Sequence, residues 1–345
     1  MPHDAALLGR AKGGDHDAFQ QLTEPHRREL QLHCYQMLGS FHDAEDLVQE
    51  TYLRAWRGVE DFEGRASVRA WLYRIATNAC LNALASRASK RRVLPETHGS
   101  PSTDMPGKEP ANDISWLDPY PDSALDGIAD ESLGPDARYE IRESVQLAFV
   151  AAIQLLPPRQ RAALLLRDVL GWYASEAANL LNGSVASING ALQRARALVQ
   201  KRLSGGTAHT PRPPTERQRA LLERYVHTWE RADVEGFVAL LRDDVVFTMP
   251  PWRQWYRGRE AVGKFFAWTA RSGGPSPFRL LPTAANGQPA FAFYSRSQGS
   301  VWRAHSVQVV ELRDDSVAGM TSSVRPALVE AFGFPPHFNQ SPQST

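Results

Sequence analysis

Between Asp43 and Arg92 the apolar positions repeat with two successive helical periods. Ala44, Val48, Tyr52 and Ala55, with Leu47 and Trp56 beside them, recur at three- and four-residue spacing and predict one buried helix face. Asp46, Gln49, Glu50 and Arg57 fall off that face, so its wet side is mostly acidic. A small-residue loop comes next, Phe62-Glu63-Gly64-Arg65-Ala66-Ser67, in which Ser67 is placed to cap the next helix. That helix carries Val68, Trp71, Leu72, Ile75 and Ala79 on one stripe and runs into Arg87, Lys90, Arg91 and Arg92.

Helical periodicity extends in both directions. Residues 4 to 39 are helical in pattern, broken at Gly13-Gly14, with Asp15 able to cap the second of the two helices. Residues 141 to 203 form a second helical unit. Its entry helix (Val145, Phe149, Ala152, Ile153, Leu156) stops at Pro157-Pro158, and Arg159 to Val169 continues as an apolar helix. YASEAANLL, the turn Asn182-Gly183-Ser184 and VASINGALQRARALVQKRL then match helix-turn-helix. In the last helix Val185, Ile188, Leu192, Ala195 and Val199 form the core stripe, while Ala186, Ser187, Gly190, Gln193, Arg194 and Lys201 point away. From Ser184 to Leu203 there are four bases and no acid, a face suited to phosphates and base edges.

Beyond residue 216 the period changes. Arg217–Arg231 and Val234–Leu241 are predicted helices, Val245–Met249 a strand and Gly258–Ala270 a helix. Strand-like runs come after these at Ala290–Ser295, Val301–Leu312 and Ser316–Val324.

Composition sharpens the division. The 345 residues, 42% apolar and 22% charged, have room for two or three soluble domains. The net charge of +1 conceals an uneven distribution. Residues 96–140 hold eleven acids against Lys108 and Arg138, a composition expected to form a linker rather than a core, with Ile114–Tyr120 as an apolar island. Residues 204–216 are a Gly/Pro/Thr linker. Cys34 and Cys80 sit at apolar helical positions and are expected as buried thiols; no metal-ligand spacing exists, and no cofactor is expected. There is no signal-peptide core, and the longest apolar candidate, Ser144–Pro158, is 15 residues, so the protein is expected in the cytoplasm.

DAEDLVQETYLRAW resembles the helix by which bacterial sigma factors grip the RNA polymerase clamp, and FEGRASVRAWLYRIATNAC resembles the segment that melts and reads the minus-ten element. LPPRQRAALLLRDVLGWYASEAANLL with SVASINGALQRAR resembles the domain that reads the minus-thirty-five element. The order is that of the small extracytoplasmic-function (ECF) class. The resemblance implies core polymerase and promoter DNA as partners. It implies polymerase contacts by Asp43, Asp46, Gln49 and Glu50. It implies DNA contacts by Gly64, Arg65, Ser67, Arg74, Thr77 and Asn78 in the first domain, and by Ser187, Asn189, Gly190, Gln193 and Arg194 in the second. Melting would then be binding energy spent on holding a base out of its stack. In related sigma factors the linker threads the polymerase near the RNA path, where an acidic chain imitates RNA; a solvated tether docked at Trp116 is the other reading.

The C-terminal part, ERYVHTWERADVEGFVALLRDDVVFTMPP through WYRGREAVGKFF, resembles the opening of the SnoaL-like cone, an α+β fold shared with nuclear transport factor two and ketosteroid isomerase. Trp229, Phe247, Trp252, Tyr256, Trp302 and His305 are the candidate pocket residues, with Asp244 as a further polar group. Packing, ligand sensing and small-molecule isomerase or cyclase chemistry all remain open for this cone, and no catalytic residue is named. The expected layout is a minus-ten domain over 1–95, acidic linker 96–140, helix-turn-helix domain 141–203, linker 204–216, cone 217–330 and tail 331–345. This is a multidomain chain of two all-α sigma domains and an α+β cone, a non-enzymatic initiation factor with the cone regulating it in cis. The alternative is a SnoaL-type enzyme fused to a DNA-binding regulator. Ala331–Phe338 is either a contact toward the sigma domains or a strap closing the cone.

Overall fold

The computed structural model describes residues 2–86, 92–97, 99–107, 109–111, 113–126, 128, 144–203, 214–273, 277–296 and 300–339. The chain forms two compact units: 1–91 with 124–209, and 92–123 with 210–345.

The first unit is helical. Helices α1 (Pro2–Lys12) and α2 (His16–Thr23) are separated at Gly13-Gly14, and the Asp15 side chain accepts from Ala18 N at 3.0 Å, the cap its position predicts. Helix α3 (Arg27–Leu38) ends at Gly39, whose φ of 72° suits a residue without Cβ. Helix α4 (Phe41–Gly58) buries Ala44, Val48 and Ala55 as expected, together with Phe41 and Thr51; Tyr52 is only half-buried. Helix α5 (Val68–Ser86) begins at Ser67, whose Oγ accepts from Ala70 N at 3.1 Å. The basic residues Arg87, Lys90 and Arg91 lie outside the described residues.

Helices α6 (Leu147–Gln154), α7 (Pro158–Leu164, extended by a π turn over Leu165–Val169), α8 (Ala174–Leu180) and α9 (Val185–Leu203) complete this unit. Arg161 joins α7 to α6 and α3. Its buried guanidinium donates to Ile153 O (2.9 Å), Gln154 O (2.9 Å), Gln154 Oε1 (2.6 Å), Leu156 O (3.2 Å) and Met37 O. Gln154 Nε2 in turn donates to Gln36 O at 2.9 Å.

His33 is fully buried beneath α5, with Nε2 2.9 Å from Thr77 Oγ1. Burial lowers its pKa to about 4, opposed by the Glu29 carboxylate and assisted by Arg69. Between pH 6.5 and about 4 the unfolded chain binds a proton here that the folded chain does not. This group's stabilisation is therefore complete above 6.5 and lost as pH falls toward 4, by up to about 3 kcal/mol. Amide exchange in α3 should accelerate over that window, and His33→Gln should flatten the dependence; an equally steep dependence in the variant would exclude His33 as its source.

The second unit is α+β. Helices α10 (Glu216–Arg231), α11 (Val234–Leu240) and α12 (Arg259–Trp268) lie with strands β1 (Leu241–Thr248), β2 (Trp255–Arg257), β3 (Phe278–Ala285), β4 (Gln288–Ser295), β5 (Trp302–Arg313), β6 (Ser316–Ser323) and β7 (His337–Phe338). The sheet runs β2-β1-β6-β5-β4-β3, with β1–β6 parallel, the other pairs antiparallel and β7 added to β5. Pro282 is tolerated because β3 is an edge strand. Trp229, Phe237, Phe266 and Phe291 belong to a core on one face of the sheet, packed with the helices. The other core contains Tyr294, Trp302, Val309 and helix α13 (Pro326–Ala331). Residues 332–338 pack there too, with Tyr294 Oη donating to Pro335 O at 2.6 Å, so the terminal segment closes the cone's own sheet.

The acidic segment departs from its expected form. Arg92–Ser123 is part of the second unit, a strap with Leu94, Trp116, Leu117, Asp118 and Tyr120 buried. Main-chain bonds hold it: Ser102 N to Trp255 O (2.7 Å), Ala111 N to Pro251 O (2.9 Å) and Asn286 N to Tyr120 O (3.0 Å). Asp118 pairs with Arg325, and Asn286 Oδ1 accepts from Tyr120 N at 2.9 Å. Its acidity did not prevent folding because this burial comes from long-range pairing with the cone. Residues 129–143 and 204–213 lie outside the described residues.

Candidate functional site

On α4 the acidic face is present as expected. Asp46 and Gln49 are exposed, Asp43 and Glu50 are half-buried, and Glu50 pairs with Arg54 at 2.7 Å. The loop before α5 is anchored by Phe62 stacked on Trp71, with ring centroids 4.6 Å apart. Gly64, Arg65 and Ser67 stand exposed above that stack, and Gly64 has a φ of 71°, which a residue without Cβ adopts without strain. Arg65 pairs with Glu63 at 2.6 Å. On α5, Arg74 is exposed and Asn78 partly so, whereas Thr77 is fully buried against His33 and presents nothing to a nucleic acid.

In the helix-turn-helix, Asn182 takes φ 50° and Ser184 caps α9, its Oγ accepting from Ser187 N at 3.1 Å. Ser187, Asn189, Gln193 and Arg194 are exposed and Gly190 is half-buried. Ile188, Leu192, Ala195 and Val199 are buried as the stripe predicts; Val185 is instead 43% exposed, because the first turn of α9 projects beyond the core. Arg196 is held by Asp168 at 2.7 Å.

The cone contains a cavity of ≈ 250 Å³ that brings together Trp229, Phe247, Trp252 and His305. Tyr256 and Trp302 are corrected. Tyr256 is core, with its hydroxyl donating to Asp104 O at 2.9 Å, and Trp302 packs in the cluster on the sheet's other face. Asp244 is exposed and paired with Arg242 at 2.9 Å. Phe278, Ser306, Gln308 and Ser322 also stand on the cavity wall, with Pro106-Gly107 of the strap at its edge, and none of these six is among the residues expected there. One signal for them is present in the chain: His-Ser-Val-Gln is unusually polar for an inner strand. Burial lowers the His305 pKa to about 4, so the ring is neutral at pH 7.

Two helical promoter-reading elements followed by a cone define a sigma-70-type initiation factor with an appended domain. Family models agree: Sigma-70 region 2 matches residues 22–90, Sigma-70 region 4 matches 146–199 and the SnoaL-like domain matches 222–320. The ECF RNA polymerase sigma factor SigG of Mycobacterium tuberculosis is 42% identical over 318 residues, covering 92% of this chain and 84% of its own. SigW of Bacillus subtilis is 26% identical over 196 residues, covering 57% of this chain and 94% of its own. The crystal structure of the M. tuberculosis ECF sigma factor SigJ superposes with TM-score 0.54 at 22% identity, over 90% of this chain and 97% of that one, and so shares the fold. The chain belongs to the ECF RNA polymerase sigma factors, and its function is promoter recognition and transcription initiation. Among the described residues no helix is long and apolar enough to cross a membrane.

Proposed function

We propose that the C-terminal domain controls initiation in cis by gripping the segment that joins the two promoter-reading domains. The packing of Arg92–Ser123 into the cone's unit carries this reading. Region 2 ends near residue 90 and region 4 begins near 146, so part of their connection is spoken for by the cone. Any change in the separation of the two domains during polymerase or promoter binding must carry the strap along or release it. Run-off transcription by a chain whose strap has been released tests this: its promoter output should differ from that of the parent.

On the helical side, core polymerase is assigned to Asp43, Asp46, Gln49 and Glu50, and promoter contacts to Gly64, Arg65, Ser67, Arg74, Asn78, Ser187, Asn189, Gly190, Gln193 and Arg194. Exposure of the acidic side of α4 beside its buried stripe supports the first assignment. Reversing Asp46 and Glu50 to lysine should weaken core binding roughly tenfold or more while the far-UV circular dichroism stays unchanged. Parental affinity in that variant would move the contact elsewhere.

The cone's chemistry is read as binding rather than turnover. None of the described residues lining its cavity is Asp, Glu, Lys or Arg, and a histidine with a pKa of about 4 is a weak base at neutral pH.

A further inference from the structure

The cavity and the strap meet at one place. Trp252 lines the cavity, and its Nε1 donates at 2.8 Å to Gly107 O of the strap, which with Pro106 forms part of the cavity edge. The wall of the cavity is sorted by chemistry. Phe247, Phe265, Phe278 and Phe293 supply an aromatic side, while Ser306 and Ser322 form a hydroxyl pair 3.4 Å apart on β5 and β6.

His305 completes the polar strip through a local irregularity. The β4–β5 register shifts so that Phe293 faces Ser306 and Tyr294 faces Ala304, leaving His305 as the extra residue. A bulge of this kind breaks the two-residue alternation. It explains why adjacent residues, His305 and Ser306, both line the cavity, with Nδ1 3.1 Å from the serine Oγ. In a plain strand one of the two would face away.

We propose that this cavity binds a compact, uncharged ring molecule bearing a hydroxyl or carbonyl group, and that its occupancy tightens the strap on the cone through Trp252 and Gly107. Size favours a compact ligand, since ≈ 250 Å³ lies below the roughly 300–1,000 Å³ of sites for drug-sized molecules. Charge is excluded by the wall, which offers no formal charge to offset the loss of hydration. The aromatic side takes the ring faces, and the His305–Ser306–Ser322 strip takes the polar group. A ligand resting against Trp252 favours the conformation in which the indole meets Gly107, so binding and strap closure are linked.

This inference rests on the strap reading above, and its test separates the two. The full chain is titrated with 2-naphthol and with its charged counterpart 2-naphthoate, and amide exchange is followed over residues 100–113. Saturable binding of 2-naphthol, at least tenfold tighter than of 2-naphthoate, with slowed exchange in the strap is expected. Trp252→Phe should keep naphthol binding but lose the slowing, and Ser306→Ala should weaken binding of naphthol more than that of naphthalene. Absence of saturable binding, equal binding of the two probes, or binding without altered strap exchange would each overturn the proposal. None of those results changes the transcription of a strap-released chain, on which the control reading stands or falls separately.

Discussion

Replacing Arg161 with methionine should loosen the packing of α6 and α7 on the end of α3. The guanidinium satisfies four backbone carbonyls and the Gln154 amide oxygen in a site only 4% exposed. Methionine fills part of the volume but donates nothing, and each buried acceptor left without a partner costs about 1–3 kcal/mol. A total of at least about 3 kcal/mol is expected, because some carbonyls will find water. Amides in residues 30–38 and 147–164 should then exchange on the order of 100-fold faster, while β4–β6 keep their protection. Unchanged exchange in 30–38 would show that Arg161 contributes nothing across the α3 contact. Local collapse of 147–164 alone would assign the arginine to α6 and α7 only.

The helical elements were legible because each carries its own period. Ala44, Val48 and Ala55 mark the α4 stripe, Ser67 is the cap its position implies, and Ile188, Leu192, Ala195 and Val199 are the buried side of the recognition helix. Errors cluster where tertiary placement overrides local pattern. Thr77 lies on the polar fringe of its stripe, yet His33 from α3 claims its hydroxyl. Trp302 has the composition of a pocket residue, but strand alternation puts it on the other face of the sheet. Strand β3 is hidden in the sequence because Pro282 interrupts its run, a penalty that an edge position removes. The strap was the largest miss. Eleven acids across 96–140 argue for solvent, and no local pattern reveals that Trp255, Pro251 and Asn286, more than a hundred residues later, provide its main-chain partners.

Releasing the strap should change what the full chain does at a promoter. Two substitutions target its hold without touching the helical unit. Asp118→Ala removes a buried carboxylate paired with Arg325, and Asn286→Gly removes the acceptor for Tyr120 N while keeping the left-handed backbone, φ 55°, that the β3–β4 turn requires. Arg325 is 40% exposed and can be hydrated once its partner is gone, so the cone should stay folded. Loss of the buried ion pair and one long-range hydrogen bond should weaken the strap by about 3 kcal/mol or more. Amides of residues 102–120 should then exchange far faster while those of β4–β6 do not. The decisive measurement is run-off transcription with core polymerase, comparing the parent with the Asp118→Ala/Asn286→Gly chain after exchange has verified that its strap is free. Control through the strap predicts that promoter output departs from the parent by about threefold or more. Equal output from a chain whose strap is demonstrably released would contradict it.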